Sequence, residues 1–372
     1  MRTRYMHAML AIVMLLALSV VTAAQTSGTW VPTGGMITER YGATAVPLKD
    51  GKVLVSGGIT TGSTLLATAE IYDPSTGMWS QTGSMKMART YYVATLLRNG
   101  RVLVAGGCTN SNCSAATSTA ELYDPNTGVW RATGKMAALR YFFTATPLQN
   151  GNVLVEGGCN KGNCTTVTKT AEIYNPRTGQ WTATGAMKIA RDYHTATLLS
   201  NGKVLVTGGY TIAGASNSVE MYDPATAMWT SVAAMVNPRA LHSATALPDG
   251  RAVIAGGVVG YLPSDQAEMY DPALNAWTPA ANLNTKRAGP LAVLLPTGQV
   301  MIAGGYSYTR PYYFDLASCE LLDPATGTWT FTGDMTSPRY QQALVVLRNG
   351  QVLAAGGLSD TGILSTADVY TP

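Results

Sequence analysis

The chain has 372 residues and carries 25 Lys and Arg against 21 Asp and Glu, a formal charge of +4. The basic residues are spread evenly and form no stripe, which excludes nucleic acid as a partner. Thirty-nine glycines, four phenylalanines and no long polar or charged run describe a turn-rich β protein with an ordered core.

In chain order, residues 1–24 read as an export signal. Arg2 and Arg4 make a positive start, Leu10 to Val21 an uncharged apolar core, and Thr22-Ala23-Ala24 a small-residue cleavage site before Gln25. Twelve apolar residues are too few to cross a bilayer, and no later stretch is long and apolar enough. The pattern predicts a secreted or periplasmic mature chain over residues 25–372, with 23 basic and 21 acidic residues, a charge of +2 and no membrane span. A chain of that length ordinarily divides into two domains, but an internal repeat makes it one.

The repeat has a period of 48 to 52 residues. Gly-Gly pairs stand at Gly57-Gly58, Gly106-Gly107, Gly157-Gly158, Gly208-Gly209, Gly256-Gly257, Gly304-Gly305 and Gly356-Gly357. All seven tryptophans share the lattice, from Trp30 and Trp79 to Trp329, as do Arg40, Arg89, Arg140, Arg191, Arg239, Arg287 and Arg339.

Each period predicts four short strands. In the second, Tyr91 to Leu97 is rich in β-formers, and Asn99-Gly100 supplies the positive-φ pair of a tight hairpin. Val102 to Ala105 is apolar at every position, which implies burial on both faces. Ala120-Glu121-Leu122-Tyr123 alternates, Asp124 to Gly128 is a turn by composition, and Trp130 opens the fourth strand. Four antiparallel strands per unit of about 50 residues predict propeller blades.

These residues resemble the kelch family: an Arg, an apolar strand ending in Gly-Gly, a Tyr-Asp-Pro turn and a Trp. The resemblance covers Trp30 to Pro372, with Asn175 in place of a turn Asp, Leu322 in place of a Tyr, and Leu274-Asn275 distorting one turn. The expected fold is an all-β, seven-bladed propeller of four-stranded blades. The last unit stops at Pro372 without its Trp strand, so Trp30 to Met36 is expected to complete blade seven and close the ring.

Residues present in every blade build blades. Glu70, Glu121, Glu172, Glu220, Glu268, Glu320 and Asp368 match the seven arginines, and an Arg–carboxylate bridge across each Gly-Gly is expected. His194 and His242 stand three residues after the repeat Arg, where the other blades hold Ala43, Tyr92, Phe143, Pro290 and Gln342, and read as packing residues. In equivalent loops of blades two and three, Cys108 with Cys113 and Cys159 with Cys164 are expected to form two local disulfides. A shared four-thiolate metal site is the alternative. Cys319 reads as a buried free thiol.

The loops after Gly-Gly vary, and variable loops on a rigid scaffold are where ligands bind. Blade six is the most distinctive, with Tyr306, Tyr308, Arg310, Tyr312 and Tyr313 as a candidate aromatic platform. Tyr41, Tyr91, Tyr141, Tyr193 and Tyr340 follow the repeat arginines and are expected around the channel mouth. Glu156 replaces the Ser, Thr or Ala found before the other Gly-Gly pairs, and with His194 of the next blade it is the candidate polar contact in a pocket.

Galactose oxidase has a similar seven-bladed kelch domain, and Arg339-Tyr340-Gln341 with Leu347 to Val352 looks like its repeats. That resemblance implies a copper-dependent carbohydrate oxidoreductase, with a Cys–Tyr cross-link and copper ligands partly from a domain after the propeller. No copper ligand carries over to a residue of this chain. The preferred reading is a monomeric, non-catalytic module, without cofactor or metal, that binds an extracytoplasmic protein or glycan.

Overall fold

The computed structural model describes residues 28–372; the export signal expected over 1–24 lies outside the described residues. Seven four-stranded antiparallel sheets form a ring, with the first strands of successive blades adjoining one another around a central channel. The fourth strand of blade seven is Thr29–Thr33, which pairs with Ala367–Thr371, so the ring closes on a strand from the other end of the chain, as expected.

Burial follows the sequence pattern. The second strand of every blade is buried along its length, for example Val53–Ser56 and Val300–Ala303. Tyr on the third strand packs against Trp on the fourth, as in Tyr123 and Trp130 with centroids 5.0 Å apart. In blades one to five the Trp indole N–H also donates to a carbonyl of the preceding blade, at 2.6 Å for Trp79 to Gly34 and 2.7 Å for Trp229 to Gly185.

The Gly-Gly pairs join blades. The second glycine of each donates its N–H to the carbonyl of the next blade's Arg at 2.8–3.0 Å, ending with Gly357 to Arg40. Both glycines have positive φ, about 61–69° and 88–101°. A Cβ on the first would collide with that carbonyl or a neighbouring side chain, and one on the second with the carbonyl after its own blade's Arg. Each buried guanidinium reaches its carboxylate at 2.6–3.0 Å and donates to the carbonyl of the first glycine. The expected bridge across the glycines is present in all seven blades.

Both local disulfides form, Cys108–Cys113 and Cys159–Cys164, and Cys319 is a buried free thiol, its acidity suppressed by burial to a pKa of about 12. Disulfides are the bond type of oxidising compartments. Among the described residues, no helix is long and apolar enough to cross a membrane.

Candidate functional site

Two residues after each repeat Arg, the backbone turns left-handed before entering the first strand. Gly42, Tyr91, Phe142, Tyr193, Leu241, Gly289 and Gln341 all have φ of 47–61°. Five of these residues donate their N–H to the carbonyl of the preceding member, for example Gly289 to Leu241 at 2.9 Å and Tyr193 to Phe142 at 3.1 Å. They form a belt at one end of the channel, and all of them but Phe142 line a cavity of about 310 Å³.

The belt is lopsided. Phe142 stacks on Tyr193 with centroids 4.0 Å apart and lies 4.5 Å from Tyr91, which makes an aromatic arc across blades two to four. Gly42 and Gly289 contribute no side chain. The gap at Gly42 lets the Tyr91 hydroxyl donate to Gln341 Oε1 at 3.3 Å, and Tyr340 packs where a Cβ on Gly289 would stand. No Lys, Arg, Asp or Glu lines the cavity. Burial pushes the Tyr91 hydroxyl up to about 12 and those of Tyr193 and Tyr340 upward as well, so the mouth is neutral and its phenols act as hydrogen-bond donors.

The five tyrosines expected as one set occupy two positions. Tyr91 and Tyr193 are belt residues, whereas Tyr41, Tyr141 and Tyr340 precede it by one residue and bridge to the loop after their own Gly-Gly. Tyr340 still reaches the cavity. Tyr141 is fully buried, donates to the Lys161 carbonyl at 2.8 Å and does not line the cavity. Phe142, Gln341, Leu241 and the two belt glycines escaped the sequence reading, because nothing short of the left-handed turn distinguishes them.

Behind the belt, the residue three after each Arg packs into the preceding blade, and its chemistry matches what it meets. Tyr92 bonds Thr44 and Ser56 at 2.9 and 2.8 Å, and His242 Nε2 bonds Thr195 and Thr207 at 3.0 and 2.9 Å. Phe143 faces Val93 and Ala105 in an apolar cluster. Glu156 and His194 belong to this series: Thr144 joins them, its hydroxyl against Glu156 Oε1 and 3.1 Å from His194 Nε2. His194 lines the cavity but Glu156 does not, being fully buried with Oε2 unpartnered. Burial raises the Glu156 carboxyl to about 8 and depresses His194 well below 6.5.

In blade six the loop is a ribbon, Tyr306–Thr309 paired with Tyr312–Asp315, turning at Arg310 and Pro311. Tyr306 packs edge-on against Tyr340 at 5.0 Å, and Tyr313 contacts both Tyr306 and Tyr308 at 5.8 and 4.7 Å. Tyr312 and Tyr313 are exposed, as is Arg310 at the tip. A second cavity of about 370 Å³ lies against Tyr306, Tyr313, Asp315 and Asp360 and shares Tyr340 with the mouth. Burial and the charge of Asp360 lift Asp315 to about 6.

Among the described residues, His194 and His242 do not converge into a metal set, since each Nε2 is committed to threonine hydroxyls of a different blade. Among the described residues, the one group of three His, Cys, Asp or Glu side chains close enough to share a cation is Cys159, Cys164 and Asp192, and its sulfurs are bonded to each other. The free thiol Cys319 is buried in the cluster of blades six and seven, away from the mouth.

A family model described as the KLHDC2/KLHL20/DRC7 Kelch-repeats domain matches residues 142–357, and the Kelch motif matches residues 40–86 and 89–137. None of the curated proteins matches the sequence. A solved structure described as a novel fungal alcohol oxidase with catalytic diversity among the AA5 family, in complex with copper, superposes with a TM-score of 0.75 at 20% identity, covering 93% of this chain and 77% of that one. At that identity the likeness concerns the fold alone.

Proposed function

Because the chain belongs to the kelch-repeat family, we propose that it is an exported, non-catalytic binding module that holds a glycan at the aromatic mouth of its channel. The carrying observation is Tyr340, which lines both the mouth and the blade-six cavity and so joins the belt aromatics to the Tyr306–Tyr313–Tyr308 platform. Flat apolar faces beside neutral phenol and amide groups suit a sugar ring, which pairs C–H faces with hydroxyls and needs no counter-charge. The two disulfides support export.

The test is glycan-array screening followed by calorimetry on the full chain. Tyr193→Ala and Tyr340→Ala are each expected to weaken the best-bound glycan at least tenfold, while Tyr261→Ala, on the exposed blade-five ribbon, leaves it unchanged. Absence of glycan binding, or equal affinity in all three variants, overturns the reading. The copper oxidase reading rests on fold likeness, and His194 and His242 each commit Nε2 to threonine hydroxyls. Stoichiometric copper with peroxide release from a sugar alcohol would establish it instead.

A further inference from the structure

The two disulfides occupy repeat-equivalent loops, each beginning at the residue after Gly-Gly, so their differences come from their neighbours. The residue after the next blade's Arg is Tyr141 in one case and Asp192 in the other. Tyr141 shares one packed cluster with Cys108, Cys113 and Cys159, and its hydroxyl bonds the backbone of the second loop, so it sets no charged group against either disulfide. Asp192 instead sets Oδ2 3.0 Å from Cys159 Sγ and 2.9 Å from Cys164 Sγ. It is 4% exposed, and its Oδ1 has no hydrogen-bond partner.

A disulfide sulfur has no proton to give. In the oxidised state the ionised form of this buried carboxyl therefore faces two acceptors, a poorly satisfied arrangement. In the reduced state the sulfurs move apart to non-bonded distance and each gains an S–H that can be given to the Asp192 carboxylate. The contact thus favours the dithiol of this pair, and nothing equivalent favours reduction of Cys108–Cys113. Burial also lifts Asp192 to about 7, so near neutrality part of the population carries a proton at these sulfurs.

Access is one-sided. Cys164 and Asp192 line a groove of about 680 Å³ between the disulfide loop and the blade-four ribbon, whereas Cys159 is fully buried. A thiolate arriving from solution meets Cys164 first, and the sulfur it displaces is Cys159, beside Asp192.

We propose that Cys159–Cys164 is a thiol–disulfide exchange centre, with Cys164 as the sulfur attacked by an external dithiol and Asp192 as the proton donor to Cys159. The thiolate of the dithiol forms a bond to Cys164 Sγ, the Cys159–Cys164 bond breaks, and its electron pair passes to Cys159, which takes the Asp192 proton. The second thiol of the reductant then gives its proton to Asp192 and attacks the mixed disulfide. Cys164 leaves as a thiolate and is protonated from solvent. Two electrons and two protons pass to the protein, and the reductant departs as a disulfide.

Mixtures of reduced and oxidised dithiothreitol provide the test, with the full chain equilibrated, quenched by alkylation and read by peptide mass spectrometry. Cys159–Cys164 is expected to reduce with an equilibrium constant at least tenfold larger than that of Cys108–Cys113 in the same molecule. Asp192→Ala should bring the two bonds together. Asp192→Asn, which keeps an acceptor and the side-chain shape but has no acidic proton to transfer, should preserve the order of reduction and slow exchange at pH 6–7. If the two bonds reduce together in the native chain, or if exchange in the Asn variant is as fast as in the native chain, the assignment is wrong. A glycan bound or not bound at the mouth leaves this result unaffected.

Discussion

Trp30 and Tyr370 stand opposite each other in the antiparallel pair that closes blade seven, with ring centroids 5.2 Å apart and tilted by 48°. One ring comes from the first described strand and the other from the last, so their contact couples the two ends of the fold.

Trp30→Ala is expected to destabilise the whole propeller by about 3–5 kcal/mol, the usual cost of truncating a buried tryptophan. Urea unfolding followed by far-ultraviolet circular dichroism should show a single transition at lower midpoint. An unchanged midpoint would mean that closure contributes nothing.

The buried bridges make an asymmetric prediction. Arg239 reaches Glu268 at 2.7 Å, and Glu268 also accepts the Val236 N–H at 2.8 Å. Glu268→Gln leaves a buried guanidinium uncompensated, at a cost of about 3–5 kcal/mol. Replacing both partners, Arg239→Met with Glu268→Leu, should recover most of that loss. Thermal melts of the single and double variants check this, and a double variant worse than the single one contradicts it.

Glu156 predicts a pH dependence with a definite sign. Its pKa rises from 4.5 to about 8 on folding, so the folded chain binds this proton more tightly than the unfolded one. The stabilisation is complete below about pH 4.5, declines as pH rises and is lost above about 8. The two histidines titrate in the opposite sense and are present in both proteins compared. Glu156→Gln, which stays neutral, should therefore match the native chain near pH 5 and exceed it by about 2–4 kcal/mol at pH 9. Denaturant titrations at the two pH values decide, and an advantage of the native chain that grows with pH would be the wrong sign.

Leu241 already adopts the left-handed backbone and faces the mouth cavity, so Leu241→Trp adds bulk there without new backbone strain. It should weaken glycan binding at least tenfold, about 1.4 kcal/mol or more, with little change in melting temperature. Calorimetry and a thermal melt on the same sample separate the two effects.

Most of the architecture was legible in the sequence because it repeats. Seven arginines, seven acids and seven Gly-Gly pairs meet the same local environment seven times, so one blade's chemistry explains the others. The disulfides were legible for the same reason, as two short loops on one lattice. The site was legible only in part. Tyr41 and Tyr91 look alike in sequence, yet one residue of offset puts the second in the belt and the first beside it.

What the sequence alone determined is the blade, the number of blades and their closure, all of which follow from local propensity and pattern. The tertiary structure alone decided which side chains meet between blades. Tyr91 bonds Gln341 across 250 positions, Thr144 joins Glu156 to His194, and Asp192 lies against the Cys159–Cys164 bond of its neighbour. A ring brings distant residues together at its mouth and seams, so the non-repeating contacts there depend on how blades pack and not on any local signal.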